Sequence, residues 1–226
     1  MSRLSVAIDG PAGAGKSTVA RQVAKRLGLT YVDTGAMYRA ITWKALQNRI
    51  DLAEEGSLAQ LVRETRIRLK TGRRGMEVWV DGMLVSEAIR APAVTSNVSA
   101  VAGQPEVRRV LVEKQQELAR EGGVVMDGRD IGTRVLPEAE IKVFLTASIE
   151  ERARRRYHEW VRRGYSIDME DLKKEISMRD EKDKNREHSP LRPAEDAVHL
   201  DTTGLSVEEV VSSILELCRT KVGGGK

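Results

Sequence analysis

The sequence predicts an α/β protein: a parallel sheet core flanked by helices, carrying an insertion with a small antiparallel sheet and a short helical lid. Three observations carry this. Short apolar, β-branched runs alternate with stretches of helical periodicity along most of the 226 residues. A dense glycine stretch, "GPAGAGKS" at 10–17, separates the first apolar run from the first helical one. From about 58 to 98 the rhythm breaks into short alternating segments. Strand, helix, strand, helix implies parallel strands with right-handed crossovers.

The elements follow in order. Leu4 to Ile8 reads as a buried strand. Lys16 to Leu27 repeats apolar residues at Val19, Val23, Ala24 and Leu27, one helical face, and Gly28 stands where a helix stops. A second strand, about Thr30 to Asp33, leads into the helical "TGAMYRAITWKALQNR". Within 58–98, "RIRLK", "MEVWV" and "MLVS" alternate like strands, and Asp81-Gly82 signals a hairpin. Helical rhythm resumes around Ala93 to Ala102, then runs from Pro105, a first-turn residue, to Gly122, a stop. Strands are predicted at 123–127 and 141–147. A basic helix starts near Ser148, "RRGYSID" interrupts it, and a charged helix covers about Met169 to Lys184. The last unit is a strand at Ala197 to Leu200 and the helix "SVEEVVSSILELC", whose Ser206 and Glu209 match a capping box. "VGGGK" reads as a frayed tail.

The chain is long enough to bury a core. "MSRLSVAIDG" lacks a basic segment followed by a long apolar one, and no apolar run approaches the roughly 18 to 20 residues of a bilayer span. A soluble, cytoplasmic protein without a membrane partner is expected. One cysteine and three histidines without ligand spacing exclude an internal disulfide and argue against structural zinc. The net charge of +4 and pI near 9.2 raise the question of nucleic acid. The basic excess lies chiefly in "ERARRRYHEWVRRGY" at 151–165, with no interleaved aromatics to stack bases. That pattern fits a small polyanion such as a nucleoside phosphate, and part of it is solvated helix surface.

Gly10, Gly15, Lys16 and Ser17 satisfy G-x-x-x-x-G-K-[ST], the phosphate loop of P-loop NTPase folds. Gly10, Pro11, Ala12, Gly13, Ala14, Gly15, Lys16, Ser17 and Thr18 are therefore the expected ATP-binding residues. Backbone amides and the helix dipole face the phosphates, Lys16 reaches the β and γ groups, and the Ser17 hydroxyl ligates Mg²⁺. No N-K-x-D guanine reader occurs, "DTTG" at 201–204 comes too late in the strand order to be a switch, and the ABC signature is missing. What is left is a kinase, which needs a second anion site so that two polyanions meet in line with their repulsion neutralised. "DTGAMYRA" puts Thr34, Tyr38 and Arg39 beyond the second strand, and "MDGRDIGTR" puts Asp127, Arg129 and Asp130 beyond the third, at the carboxyl edge where open α/β sheets bind ligands. Tyr38 could instead pack, and Asp127 could cap a turn.

"IDGPAGAGKST", "VDTGAMYR", "DGRDIGT", "RDEKDKNR" followed by "SPL", and the 58–98 insertion together closely resemble the bacterial cytidylate kinases of the nucleoside monophosphate kinase family, over essentially the whole chain. The resemblance implies transfer of the ATP γ-phosphoryl group to CMP or dCMP, in pyrimidine nucleotide metabolism. It implies a core (1–33, 103–150 and 167–226), an NMP-binding part (34–102) and a lid (151–166). By similarity Arg39, Arg129 and Arg186 clamp the CMP phosphate, Asp183 with Arg179 holds the ribose, and Thr34, Ser99, Arg108 and Asp130 line the cytosine pocket. The family often has serine where Thr34 stands, so a methyl is added there. A carboxylate accepts from the cytosine N4 amino group, where uracil offers only an acceptor, which makes Asp130 the base reader. Asp127 is assigned outer-sphere support of Mg²⁺. Lys16, Arg129, Arg152, Arg156, Arg179 and Arg186 are the catalytic cations: Arg152 and Arg156 lie one helical turn apart, Arg179 and Arg186 two turns apart. The lid has no four-cysteine cluster, and a monomer is expected. Same-fold kinases acting on UMP, dTMP or shikimate, and a nucleic-acid-stimulated P-loop ATPase, are the alternative readings.

Overall fold

A computed structural model describes residues 4–72 and 75–223. In chain order the elements are β1 (Ser5–Asp9), α1 (Lys16–Leu27), β2 (Thr30–Asp33), α2 (Thr34–Gln47), α3 (Glu55–Glu64), β3 (Ile67–Gly72), β4 (Gly75–Val80), β5 (Met83–Leu84), α4 (Pro92–Gly103), α5 (Pro105–Ala119), β6 (Val124–Gly128), β7 (Ile141–Thr146), α6 (Ile149–Arg162), α7 (Met169–Lys184), β8 (Val198–Asp201) and α8 (Val207–Gly223). A 3-10 turn at Ala88–Arg90 and a π-helical turn at Ile131–Val135 complete the list. Local chemistry sets several boundaries. Gly28 (φ 67°) closes α1 by donating its N–H to Ala24 O, and Asp33 caps α2 by accepting from Ala36 N at 2.8 Å. The Ser206 and Glu209 box opens α8. The tail reading at "VGGGK" falls partly on 224–226, outside the described residues.

The chain divides into two compact units. The first, Met1–Tyr31 with Glu121–Lys226, is built on a five-stranded sheet in the order β2-β6-β1-β7-β8, with β1 parallel to β6 and β7, and β7 parallel to β8. Val6, Ala7, Ile8, Val124, Val125 and Met126 are buried on both faces of their strands, the continuous apolar pattern of a helix-covered parallel sheet. α1 packs on β6 and α8. Cys218 of α8 is buried, and burial pushes its thiol up to about 11, so it is inert at neutral pH.

The second unit, Val32–Arg120, joins α2–α5 to an antiparallel sheet in the order β3-β4-β5. Asp81 (φ 50°) and Gly82 (φ 88°) make the β4–β5 turn, the left-handed pair a two-residue hairpin needs. Helix α3 corrects the reading of 58–64 as part of a β insertion: Leu58, Leu61 and Val62, at helical spacing, are buried against Val107, Val110 and Leu111 of α5. That contact also groups α5 with this unit, whereas the sequence reading put 103–120 in the core part.

Candidate active site

The phosphate loop leaves β1 at Gly10 (φ 145°) and turns at Gly13 (φ 78°) and Gly15 (φ 89°) before α1 begins at Lys16. A Cβ on Gly10 would lie 2.1 Å from Leu145 O, a backbone atom of β7 that cannot move aside, and one on Gly13 would lie 3.0 Å from Arg152 Cβ. Glycine is therefore required for close approach as well as for φ. Gly10→Ala is expected to destabilise the chain by at least ~2 kcal/mol in urea unfolding and to weaken ATP binding with it.

Lys16 is buried, and its Nζ donates to Pro11 O at 2.7 Å. Burial and the charge of Arg129 push the ammonium well below its usual range, with Arg179 adding to them and Asp127 and Asp9 opposing. A cation held so unfavourably is one that an anion would relieve. Ser17 Oγ donates to Asp127 Oδ2 at 2.8 Å, and Tyr31 OH donates to Asp127 Oδ1 at 2.8 Å. With Ser17, Asp127 offers hard oxygen donors, which fits Mg²⁺, an ion that takes one or two protein oxygens and completes its shell from phosphate and water. No group of three or more His, Cys, Asp or Glu able to hold a metal occurs among the described residues.

Arg129, at the end of β6, donates Nε to Asp183 Oδ2 at 2.9 Å, and Arg186 NH2 lies 3.2 Å from Asp183 Oδ1. Arg179 Nε, one turn before Asp183 on α7, is buried without a hydrogen-bond partner. Burial and the neighbouring Arg129 push Arg179 down to about 10, against Asp183. Burial would raise Asp183, but Arg129, Arg186 and Arg179 outweigh it and hold the carboxyl below the usual range. Arg156 also acts on Arg179, while its own NH1 donates to Glu159 at 2.8 Å. Several cations thus crowd one buried carboxylate, an arrangement that favours further negative charge.

The expectation that Arg152 faces the transferring group meets a different geometry. Its side chain is buried; Nε donates to Ala147 O at 3.0 Å, and NH1 donates to Ala12 O at 3.2 Å and to Asp180. Helical spacing placed it on one face with Arg156, but the acid that claims it lies 28 residues further on, in α7. Arg155 donates to Glu151 Oε1 at 2.8 Å, Thr202 Oγ1 at 2.9 Å and Thr202 O at 2.6 Å. Thr202 Oγ1 lies 3.4 Å from Ala14 O, so both arginines brace the phosphate loop.

In the second unit, Thr34 and Tyr38 are buried one turn apart on α2. The Arg108 guanidinium lies 5.3 Å from the Tyr38 ring centroid and donates NH1 to Ala102 O at 2.9 Å. Arg39 NH1 donates to Thr95 Oγ1 at 2.9 Å, one turn before Ser99 on α4. Tyr38 therefore packs and also carries a cation on its face.

Asp9 was not singled out in the sequence. It is 4% exposed and accepts from Ile131 N and Gly132 N, both at 2.8 Å. Its signal was a lone acid closing a buried apolar strand, a place an acid occupies only when paired.

A glycine loop between a central parallel strand and its helix, with buried cations gathered in the same unit, defines a P-loop phosphotransferase. The chain belongs to the cytidylate kinase family: that family's model matches residues 6–220. It is 56% identical over 221 residues to a cytidylate kinase of Geobacillus kaustophilus, covering 98% of this chain and 99% of the relative. It is 54% identical over 219 residues to the cytidylate kinase of Bacillus subtilis, covering 97% and 98%. A solved structure of an uncharacterized protein from Eubacterium ventriosum shares the fold, with a TM-score of 0.52 at 12% identity over 95% of this chain and 97% of that one.

Proposed function

We propose that this chain transfers the γ-phosphoryl group of ATP to CMP or dCMP, giving ADP and CDP or dCDP, with Mg²⁺ on the donor phosphates. The observation that carries it is the set of buried or half-buried cations, Lys16, Arg129, Arg179 and Arg186, with the charge of Arg129 acting against both Lys16 and Arg179, in a member of the cytidylate kinase family. An oxygen of the CMP phosphate bonds to the γ-phosphorus as the bond to the β–γ bridging oxygen breaks and ADP leaves. That oxygen is already ionised, so no general base is needed, and the loose transition state chiefly needs its charge matched. Lys16 and the loop amides hold the ATP phosphates; Ser17, with Asp127 in outer-sphere support, would hold Mg²⁺, which would supply positive charge to the donor phosphates. Arg129 and Arg186 take the acceptor phosphate, with Arg156 and Arg179 on the transferring group, and Asp183 with Arg179 holds the ribose. Arg152 acts at one remove, by fixing Ala12 of the loop. In the second unit Arg39 serves the acceptor phosphate, and Thr34, Ser99 and Arg108 serve the base. A monomer working on free nucleotides in the cytoplasm is part of the same proposal. No helix among the described residues is long and apolar enough to cross a membrane.

Asp130 is the base reader: its carboxylate matches the cytosine N4 donor and meets an acceptor in uracil. Asp130→Ala is expected to lower kcat/KM for CMP by about 10²-fold and for UMP far less. Equal losses for both would remove Asp130 from that role. Arg129→Ala should weaken every acceptor alike, because a phosphate contact carries no base information; a base-selective loss in the same assays would contradict it.

A further inference from the structure

The π-helical turn after β6 begins at Asp130, its N-cap residue (φ −144°, ψ 28°). The first amides of a helical turn have no internal partners, and an aspartate at the N-cap ordinarily spends its carboxylate on them. Asp130 does not: its side chain makes no cap hydrogen bond. The amides of Ile131 and Gly132 are instead taken from outside, one by each oxygen of Asp9, at 2.8 Å. We infer that Asp9 is a positioning residue for acceptor choice, capping the turn in place of Asp130 so that the Asp130 carboxylate serves the base. The inference rests on the reading of Asp130 as base reader.

Two features show that Asp9 is more than a packing residue. It ends the central strand β1 and is followed directly by Gly10, so the turn carrying Asp130 and the phosphate loop are pinned to one point in the same unit. The position also carries a penalty that an apolar residue would avoid. Burial, opposed by the Gly132 and Ile131 amides, raises Asp9 to about 6; the charge of Asp130 adds to that, and Lys16 opposes it. The two amides are what an ionised carboxylate there is for. Asparagine has the same shape but offers one oxygen, and its NH₂ would face the second amide.

The test compares Asp9→Asn, Asp9→Ala and Asp130→Ala by kcat and KM for CMP, UMP and ATP, with backbone hydrogen exchange at Ile131 and Gly132. Asp9→Ala is expected to cut the CMP-over-UMP preference about 10-fold, raising the KM for CMP while the KM for ATP changes no more than about twofold. Exchange at both amides should accelerate, with Asp9→Asn between wild type and Asp9→Ala. In the double variant the preference should fall no further than in Asp130→Ala alone. If Asp130→Ala loses the preference and Asp9→Ala keeps it, the positioning role is overturned and the base reading stands. If Asp130→Ala keeps the preference, the base reading falls and takes the positioning role with it. Asp9 variants unfolded by circular dichroism would assign Asp9 to fold support alone and also overturn the inference.

Discussion

Lys16→Met is expected to lower kcat by about 10³-fold while leaving the nucleotide-free protein at least as stable as the parent. The two halves have one cause. Lys16 is buried beside Arg129 and Arg179, so its charge is unfavourable in the folded chain until donor phosphates arrive. Methionine fills nearly the same volume without a charge. The sign can be checked in a pH series. A lysine held below its usual range binds fewer protons folded than unfolded, so its contribution to stability rises with pH from the folded pKa to about 10.4. Urea unfolding of the parent should show that rise, and the variant should lose it. If stability falls together with activity, Lys16 supports the fold rather than the donor phosphates.

Asp183→Ala is expected to have the largest effect on the fold. Its carboxylate is buried and answers Arg129 and Arg186 directly and Arg179 through the field, so its removal leaves buried arginines facing one another. Breaking a buried pair by removing one partner typically costs about 3–5 kcal/mol. The pH dependence has the opposite sign from that of Lys16. A depressed carboxyl contributes stability that is present above about 3.9, its unfolded value, and is lost as pH falls through its folded value. Urea midpoints at pH 7 and pH 3 should therefore differ more in the parent than in the variant. Inorganic phosphate should stabilise the variant, because an anion again answers the arginines. A variant as stable as the parent would mean that these arginines are not held by Asp183.

The phosphate loop, the parallel strands, the hairpin at Asp81-Gly82 and the box at Ser206 and Glu209 were legible because each rests on local chemistry. Residues within a few positions of one another decide them. Helix α3 was equally local, since Leu58, Leu61 and Val62 have helical spacing, but it abuts alternating strands that dominate a reading of the window. The π-helical turn at Ile131–Val135 was not legible: its first amides are answered by Asp9, 122 and 123 residues away. Arg152 illustrates the same limit. Spacing tells which residues share a helical face, but whether a guanidinium is presented or consumed depends on partners such as Asp180 and Ala12 that only the fold brings near. The cluster about Asp183 was only partly legible: "RDEKDKNR" put Arg179, Asp183 and Arg186 on neighbouring helical turns, whereas Arg186 lies beyond the last residue of α7 and Arg129 joins from the end of β6.

The most direct test of the account is an ADP-release assay with ATP and Mg²⁺ and with CMP, dCMP, UMP, dTMP, AMP or shikimate supplied in turn, together with a single-stranded polynucleotide. The account predicts turnover with CMP or dCMP well above every other acceptor and no stimulation by the polynucleotide. UMP or AMP outpacing CMP, or polynucleotide-stimulated hydrolysis without any acceptor, would contradict it.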